Sequence, residues 1–362
     1  MMKPGLLPAL VAAGLMLGAD TALARDYILA PARPNKLVVV DTEKMAVDKV
    51  VTLDDDAGPM PMTPTVDPTG KFAYVSINKT ESIAKVDLIS GETVARVDLS
   101  TPEMRVKNLF GLALSPDGKT IAAYQSPVKL ELAHFEVQPT QITLYNAEDL
   151  TPIKTFPAPR QVTLLMFSTD GSKLYGLGRS MYTFDAASGE QLDERPVVAW
   201  NTEKYNPSDV LDVWSQYENS GVMVAPFYTS LKDGNPEDPE SFRTGLLTLD
   251  LATDEMKMRD VRTMDVFYFS TAVSPDKTRA YGVYNVLESF DLTKDEPIKR
   301  VPLPHSYYSI NVASDNKTIF ISGAMGNIAA YDAETLERKA DVELPDGASM
   351  SLSSVRMFQR DE

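Results

Sequence analysis

The sequence is poor in the side chains that most often perform catalysis. Among its 362 residues it has no cysteine, two tryptophans and two histidines, His134 and His305. The lack of cysteine excludes disulfide bonds, Fe–S clusters, thiolate metal sites, cysteine nucleophiles and haem attachment through C-x-x-C-H. The two histidines lie far apart and outside any nucleophile-elbow motif, and glycine-rich phosphate loops are missing. We therefore expect neither a catalytic residue nor a metal ligand set in this chain.

Positive charge is also scarce. There are 35 Lys and Arg against 51 Asp and Glu, which gives a formal net charge of −16. Phosphate backbones are bound by basic surfaces, so this balance argues against a nucleic-acid partner. The hydrophobic share of 43% and the charged share of 24% are ordinary for a globular protein, and the length permits a large core.

The N-terminus has the pattern of a secretory signal peptide. Lys3 precedes an apolar run from Leu6 to Leu17, and Ala22 and Ala24 place small residues before Arg25. The run is too short to span a bilayer, so we expect cleavage rather than membrane insertion. The sequence thus predicts a signal peptide at 1–24, export to a bacterial periplasm, and one mature domain at 25–362.

The mature chain repeats two motifs. The first is an apolar strand, a turn rich in Pro, Asp, Gly and Lys, and another apolar strand. It begins at Thr65, Leu112, Leu165, Thr271 and Ile310, with a degenerate copy from Asp212. The second places Asp or Asn between two alternating strands, at Asp41, Asp87, Asn146, Asp185, Asp250, Asp291 and Asp332. Seven such markers indicate seven units.

These turns predict two hairpins, and so four strands, in each unit, because Pro, Asp, Asn and Gly favour tight reversals. A lone four-stranded sheet cannot bury two apolar faces, whereas radial stacking does so. The fold class we expect is all-β, a seven-bladed β-propeller. The first unit begins at Asp26 in its second strand, so the spare segment from Met350 to Phe358 is predicted to join the first blade and close the ring.

The long connections are predicted to lie on one face of the ring. They are 126–141 and 227–245 between second and third strands, and 54–64, 100–111, 197–208, 262–270 and 304–309 between blades. Three of them carry aromatic side chains, namely Trp200 and Tyr205, then Phe267, Tyr268 and Phe269, then His305, Tyr307 and Tyr308. These eight residues are our candidates for a substrate cavity or partner contact. The alternative is that they fill gaps between adjacent blades.

Two stretches carry a family resemblance. Residues 71–78 (KFAYVSIN) with 82–99, and residues 35–53, resemble YVTN propeller repeats. Over the whole mature chain the sequence is more specifically similar to the β subunit of quinohemoprotein amine dehydrogenase. Residues 26–43 (DYILAPARPNKLVVVDTE), 212–221 (DVWSQYENSG) and 264–285 (MDVFYFSTAVSPDKTRAYGVYN) carry that similarity.

The resemblance implies a periplasmic enzyme that oxidises primary amines to aldehydes and ammonia. In that family the haem-bearing α subunit holds two c-type haems, and the quinone-bearing γ subunit holds cysteine tryptophylquinone. Electrons leave towards a soluble cytochrome or blue copper protein. The β propeller holds no cofactor, walls the substrate cavity and docks its neighbours. No catalytic residue is carried over to this sequence.

Three other functions stay open at this point. The chain also fits the heavy subunit of methylamine dehydrogenase, which is a seven-bladed propeller beside a quinone subunit. It fits a stand-alone YVTN-type binding or surface protein without a redox partner. The third alternative is a propeller hydrolase or lactonase with a central metal. The scarcity of histidine counts against this alternative.

Overall fold

A computed structural model describes residues 24–58, 60–211, 216–350 and 353–361. It confirms the all-β class: seven blades of antiparallel strands stand in a ring. Residues 1–23, and so all but the last residue of the predicted signal peptide, lie outside the described residues. Within the described ranges the helical elements are three 3₁₀ turns, Asp55–Ala57, Pro239–Ser241 and Pro345–Gly347.

Strands are numbered along the chain, and the first four blades follow in order. Blade 1 has β1 (Arg25–Ala32), β2 (Lys36–Asp41) and β3 (Ala46–Thr52). Blade 2 has β4 (Met62–Val66), β5 (Phe72–Ile77), β6 (Ser82–Asp87) and β7 (Thr93–Asp98). Blade 3 has β8 (Met104–Lys107), β9 (Leu112–Leu114), β10 (Thr120–Leu130), β11 (Phe135–Val137), β12 (Gln141–Asn146) and β13 (Pro152–Pro157). Blade 4 has β14 (Leu164–Phe167), β15 (Lys173–Leu177), β16 (Ser180–Asp185) and β17 (Gln191–Pro196).

The remaining blades repeat this order. Blade 5 has β18 (Asp209–Val210), β19 (Val222–Ser230), β20 (Phe242–Asp250) and β21 (Met256–Thr263). Blade 6 has β22 (Ser270–Val273), β23 (Arg279–Val283), β24 (Val286–Asp291) and β25 (Glu296–Pro302). Blade 7 has β26 (Ser309–Val312), β27 (Thr318–Ser322), β28 (Asn327–Asp332) and β29 (Arg338–Glu343). Last comes β30 (Arg356–Arg360), which belongs to blade 1.

The last strand closes the ring as predicted, although it starts later than the sequence indicated. β30 pairs antiparallel with β1 from Arg25↔Arg360 to Leu29↔Arg356. The predicted strand began at Met350, but β30 begins at Arg356, and the described residues 344–350 and 353–355 lie in the connection from blade 7. Within it, Met350 and Val355 are buried in the core between blades 7 and 1, which explains why this connection is apolar.

The hydrophobic core is divided among the interfaces between blades. Each of the seven clusters of buried residues combines side chains from two adjacent blades. At the interface of blades 1 and 2, for example, Leu29 and Leu37 pack with Val75 and Val86. Middle strands are therefore buried on both faces, whereas outermost strands such as β13 are largely exposed. Interblade burial supplies most of the apolar contact, as expected for radially repeated sheets.

The Asp and Asn markers form the predicted turns. In blade 1, Asp41 Oδ1 accepts hydrogen bonds from the amides of Glu43 and Lys44 at 3.0 and 2.9 Å. The same side-chain cap recurs at the other six markers, Asp87, Asn146, Asp185, Asp250, Asp291 and Asp332. An Asp or Asn oxygen at this position satisfies amides that the reversing backbone leaves unpaired.

The two faces of the ring differ as the sequence predicted. The turns from the first to the second strand and from the third to the fourth are short in nearly every blade, and we call their side the turn face. The opposite side, the loop face, carries the long connections between blades and the long hairpins of blades 3 and 5. Those two hairpins are extended by regular strand, because β10 reaches Leu130 and β19 reaches Ser230. Elaboration of one face is where repeat proteins commonly bind partners.

The turn carboxylates predict acid sensitivity. A hydrogen bond from Thr293 lowers the pKa of Asp291 to about 2, and one from Ser168 lowers the pKa of Asp170 to about 2, from 3.8. The pKa is lower in the folded state, so the stabilisation is complete above about pH 5 and is lost as pH falls through 3.8 towards 2. We expect the melting temperature, followed by circular dichroism, to fall progressively across that window.

Blade 3 offers a matched control for this titration, because Asn146 occupies the marker position there. Asp291→Asn keeps an acceptor oxygen without a proton to gain, so its melting temperature should fall less steeply with acid than that of the wild type. The melting temperature of Asn146→Asp should fall more steeply with acid than that of the wild type. Parallel curves for all three proteins would contradict the assignment.

The closing strand predicts a large loss of stability on truncating one side chain. Phe358 is buried and stacks on Tyr27 with ring centroids 5.6 Å apart. Phe358→Ala should lower the free energy of unfolding by about 3–5 kcal/mol, as for other buried aromatic residues. Exposed Gln359 on the same strand is the control, and Gln359→Ala should change it by no more than about 0.5 kcal/mol. Equal losses in urea titrations would argue against closure by β30.

Candidate functional site

Five partly exposed aromatic rings meet on the loop face of blades 5, 6 and 7. We call Tyr228, Phe267, Phe269, Tyr284 and Tyr308 the five-ring cluster. Tyr228 stacks on Phe267 at 5.0 Å between centroids, and Phe269 stacks on Tyr308 at 4.4 Å. Tyr284 contacts Phe267, Phe269 and Tyr308 at 5.8, 5.5 and 6.0 Å. The rings form one continuous aromatic surface across three blades.

Three of the eight sequence candidates belong to this cluster, namely Phe267, Phe269 and Tyr308. Phe267 is the most open of them, with 37% of its surface exposed. Tyr228 and Tyr284 were not among the candidates. Their position follows from the way the strands pair. For example, the Phe269 amide donates to the Val283 carbonyl, and this contact brings Tyr284, the next residue, to the same surface as Phe269. Such a neighbour is visible only once two strands are paired.

The other candidates lie in the walls beneath the surface. Tyr205, Tyr268 and Tyr307 are buried, as the gap-filling alternative describes. Trp200 is partly buried and stacks on Tyr205 at 5.2 Å, with the Phe227 ring edge-on at 5.3 Å. His305 stacks on Tyr307 at 4.2 Å, and its Nδ1 lies 2.9 Å from the carbonyl oxygen of Ser306. These five residues fix the connections between blades.

An ionic network centred on the buried Glu288 holds the connection that carries Phe267 and Phe269. Glu288, whose side chain is 3% exposed, accepts from Arg262 at 2.5 Å and from Arg300 at 2.7 Å. Both arginines also bind Asp265, Arg262 at 2.7 Å and Arg300 at 3.0 Å. Two cations and two anions are thus paired in a closed set that joins blades 5 and 6. Bidentate pairing of this kind fixes orientation as well as position.

Tyr268 connects this network to the five-ring cluster. Its hydroxyl donates to Glu288, its carbonyl accepts from the Tyr228 hydroxyl at 3.0 Å, and its amide donates to that hydroxyl at 2.6 Å. Burial, then the hydrogen bond and charge of Glu288, raise the pKa of Tyr268, so the phenol stays protonated as a donor. A Cβ on Gly282 would lie 2.7 Å from this ring, so glycine leaves the space that Tyr268 fills.

Charge also fixes the protonation of Asp265. Burial acts to raise the pKa of this carboxyl, but the hydrogen bond from Arg300 and the charges of both arginines outweigh it and lower the pKa. The carboxylate is therefore ionised at neutral pH and anchors the turn that precedes Phe267.

An apolar groove continues from the cluster towards the rim. Its volume is about 490 Å³, and its apolar walls are Pro236, Pro239, Phe242, Met264, Val266 and Phe267. Phe242, Met264 and Phe267 are each exposed by 37–39%. We call it the rim groove. Large apolar surface of this kind is typical of an interface.

Blade 3 carries a second apolar feature on the loop face. The extended half of β10 pairs with β8 on one side and β11 on the other, which makes a small projecting sheet that we call the arm. Leu132 at its tip is fully exposed, as is 71% of Phe135 and 61% of Val137. His134 is exposed in the same tip. Three exposed apolar side chains on one hairpin form a surface suited to a protein partner.

Among the residues that the structure describes, no group of three or more His, Cys, Asp and Glu is placed to hold a metal ion. In the same residues, no helix is long and apolar enough to cross a membrane.

Comparison with known proteins supports the fold. No protein-family model matches this chain, and no curated protein matches it significantly. A Kuenenia stuttgartiensis hydrazine synthase chain is similar in structure, with a TM-score of 0.57 and 15% sequence identity. The aligned region covers 86% of this chain and 90% of that chain. Dihydro-haem d1 dehydrogenase NirN, solved in complex with DHE, matches 94% over 77% of its own length, with a TM-score of 0.53 and 14% identity.

A further solved structure is a functionally unknown protein from Desulfotomaculum acetoxidans DSM 771. It matches 92% of this chain over 99% of its own, with a TM-score of 0.59 and 10% identity. At these identities the likenesses show the propeller fold alone.

The ionic network predicts that the stability of the protein depends on the Glu288 carboxylate. Glu288→Gln leaves both arginines without their buried counter-charge and should lower the free energy of unfolding by about 3 kcal/mol, the lower end for a broken buried pair. The side chains of Arg262 and Arg300 are 17% and 29% exposed, so water partly solvates the guanidinium charges that lose Glu288. The loss of stability is therefore placed at the lower end of the range. Urea titration measures the change.

Glu43→Gln is the matched control for this variant. The Glu43 side chain is 63% exposed and pairs with Arg25 at 3.4 Å. Glu43→Gln should change the free energy of unfolding by no more than about 1 kcal/mol, as for other surface ion pairs. If both variants lose equally little, Glu288 is not the centre of the network.

Proposed function

We propose that this chain is the cofactor-free propeller subunit of a periplasmic quinohemoprotein amine dehydrogenase. Its loop face covers the quinone-bearing γ subunit and helps to wall the substrate cavity, while the haem-bearing α subunit docks beside it. The sequence resemblance in residues 26–43, 212–221 and 264–285 supports the family. The observation that carries the role is the five-ring cluster, an aromatic surface held rigid at its base and open on the loop face.

The cluster suits a substrate with a hydrocarbon part and an ammonium group. Aromatic faces bury alkyl and aryl groups, and they attract cations by about 0.5–2 kcal/mol when solvent is excluded. Phe267 presents the most open ring, and Tyr228 stacks behind it. Because the network of Glu288 fixes the connection, little conformational entropy is lost when a ligand or subunit covers the rings.

Two apolar surfaces on the same face supply docking area. The rim groove adjoins Phe267, so a chain seated on the five-ring cluster extends naturally into it. We assign this continuous surface to the γ subunit. The arm lies on blade 3, away from the cluster, and its exposed Leu132, Phe135 and Val137 are assigned to the larger α subunit. Apolar anchors ringed by polar residues are the usual core of such interfaces.

Purification of the native protein from periplasm tests the proposal directly. We expect haem absorbance and a small quinone-bearing chain to elute with this protein in size-exclusion chromatography, together with amine-dependent dye reduction. A colourless monomer would overturn the assignment and favour a stand-alone YVTN-type protein. Co-elution of a quinone chain without haem would instead indicate the methylamine dehydrogenase heavy subunit.

A single substitution tests the surface. Phe267→Ala removes the most exposed ring of the cluster and should weaken γ-subunit binding, or raise the KM for amine, by about 10- to 30-fold, as at interface hot spots. Ile89→Ala is the control, since Ile89 is 52% exposed on the turn face. It should leave assembly and kinetics unchanged. If both variants match the wild type, the five-ring cluster is not the contact surface.

A further inference from the structure

A separate pocket opens on the loop face between blades 4 and 5. It has a volume of about 370 Å³, at the small end of the range of roughly 300–1,000 Å³ for ligand sites. Its walls come from three connections and the first strand of blade 5, and are lined by Gln161, Thr163, Gly178, Arg179, Val198, Ser208, Asp209 and Val210. No residue of the five-ring cluster is among them.

The pocket holds one cation and one anion that are not paired with each other. Arg179 and Asp209 both line it, and both side chains are exposed to solvent. Among the ion pairs and side-chain hydrogen bonds of the described residues, neither side chain takes part in one. Most other arginines near blade 5 behave differently: Arg195, Arg243 and Arg259 each hold a carboxylate within 2.9 Å. A guanidinium and a carboxylate lining one small cavity offer complementary charges to a ligand carrying both signs.

The walls of the pocket are fixed by backbone contacts. The amides of Val197 and Val198 donate to the carbonyl of Arg179 at 3.3 and 3.0 Å, and the amide of Ser208 donates to Val198 at 2.8 Å. Gln161 adopts a positive φ of 66°, a conformation that costs energy for a residue other than glycine. At Gly178 a Cβ would lie 2.7 Å from the Gln161 carbonyl oxygen, so only glycine lets these two connections approach.

We propose that this pocket binds a small zwitterion with one carboxylate and one primary ammonium group. Arg179 binds the carboxylate and Asp209 binds the ammonium group. Val198 and Val210 contact the short hydrocarbon portion. Asp209 is the cross-strand partner of Tyr228, so the pocket borders the five-ring cluster. The zwitterion proposal does not rest on the amine dehydrogenase role, and either proposal can fail while the other stands.

The test uses the purified full-length mature chain and three probes of increasing charge separation: glycine, β-alanine and 4-aminobutyrate. At least one should raise the melting temperature and bind in isothermal titration calorimetry. Acetate and ethylamine, which each carry one of the two charges, should bind more weakly than that zwitterion, because each can pair with only one of the two charged side chains. If no zwitterion binds, or acetate binds as well as the best of them, the proposal is overturned.

Substitutions locate the binding. Arg179→Met and Asp209→Asn should each weaken the best probe by up to about 5-fold, the upper end for an ion pair between exposed groups. Arg160→Met is the matched control, since Arg160 is exposed, lies one residue before Gln161 and does not line the pocket. It should bind the probe as the wild type does. Unchanged affinity in Arg179→Met, or an equal loss in Arg160→Met, would contradict the site.

Discussion

The structure depends on burying both faces of each four-stranded sheet against its neighbours. Each blade offers apolar side chains on two sides, and only the adjacent blades cover them, so removing one blade would expose two faces. This requirement explains the ring and the position of β30, whose Met357 and Phe358 complete the cores on either side of blade 1. Glycine serves the same closure at Gly70, where a Cβ would lie 2.4 Å from the Gln359 carbonyl oxygen.

A frame fixed in this way leaves the loop face free to vary. The short turns opposite are specified by their own side-chain caps. The long connections combine buried side chains, such as Tyr268, with exposed ones, such as Phe267. Ion pairs among Glu288, Arg262, Arg300 and Asp265 add to the packing of Tyr268 and position Phe267 and Phe269. These rings are thereby preorganised for contact.

The sequence predicted the fold well because its signals are local. Turn residues such as Asp41 and Asp332 act on amides two or three residues away, so seven repeats of that pattern imply seven blades. The site was predicted less completely. In the run Phe267, Tyr268, Phe269, alternate side chains point to opposite sides, and Tyr268 is the buried one. Tyr228, Tyr284 and the partners of Glu288 come from other strands. A local sequence pattern does not indicate a contact between residues far apart in the chain.

Ring closure by β30 also bears on how the polypeptide acquires its shape. Among the described strands, β1 is the first to be synthesised and β30 the last, and they can pair only once β30 has been made. Pairing across so great a sequence distance is slow, and until it forms β1 keeps an open hydrogen-bonding edge. A partly synthesised chain therefore exposes one edge of blade 1, where a strand from another chain could add in place of β30.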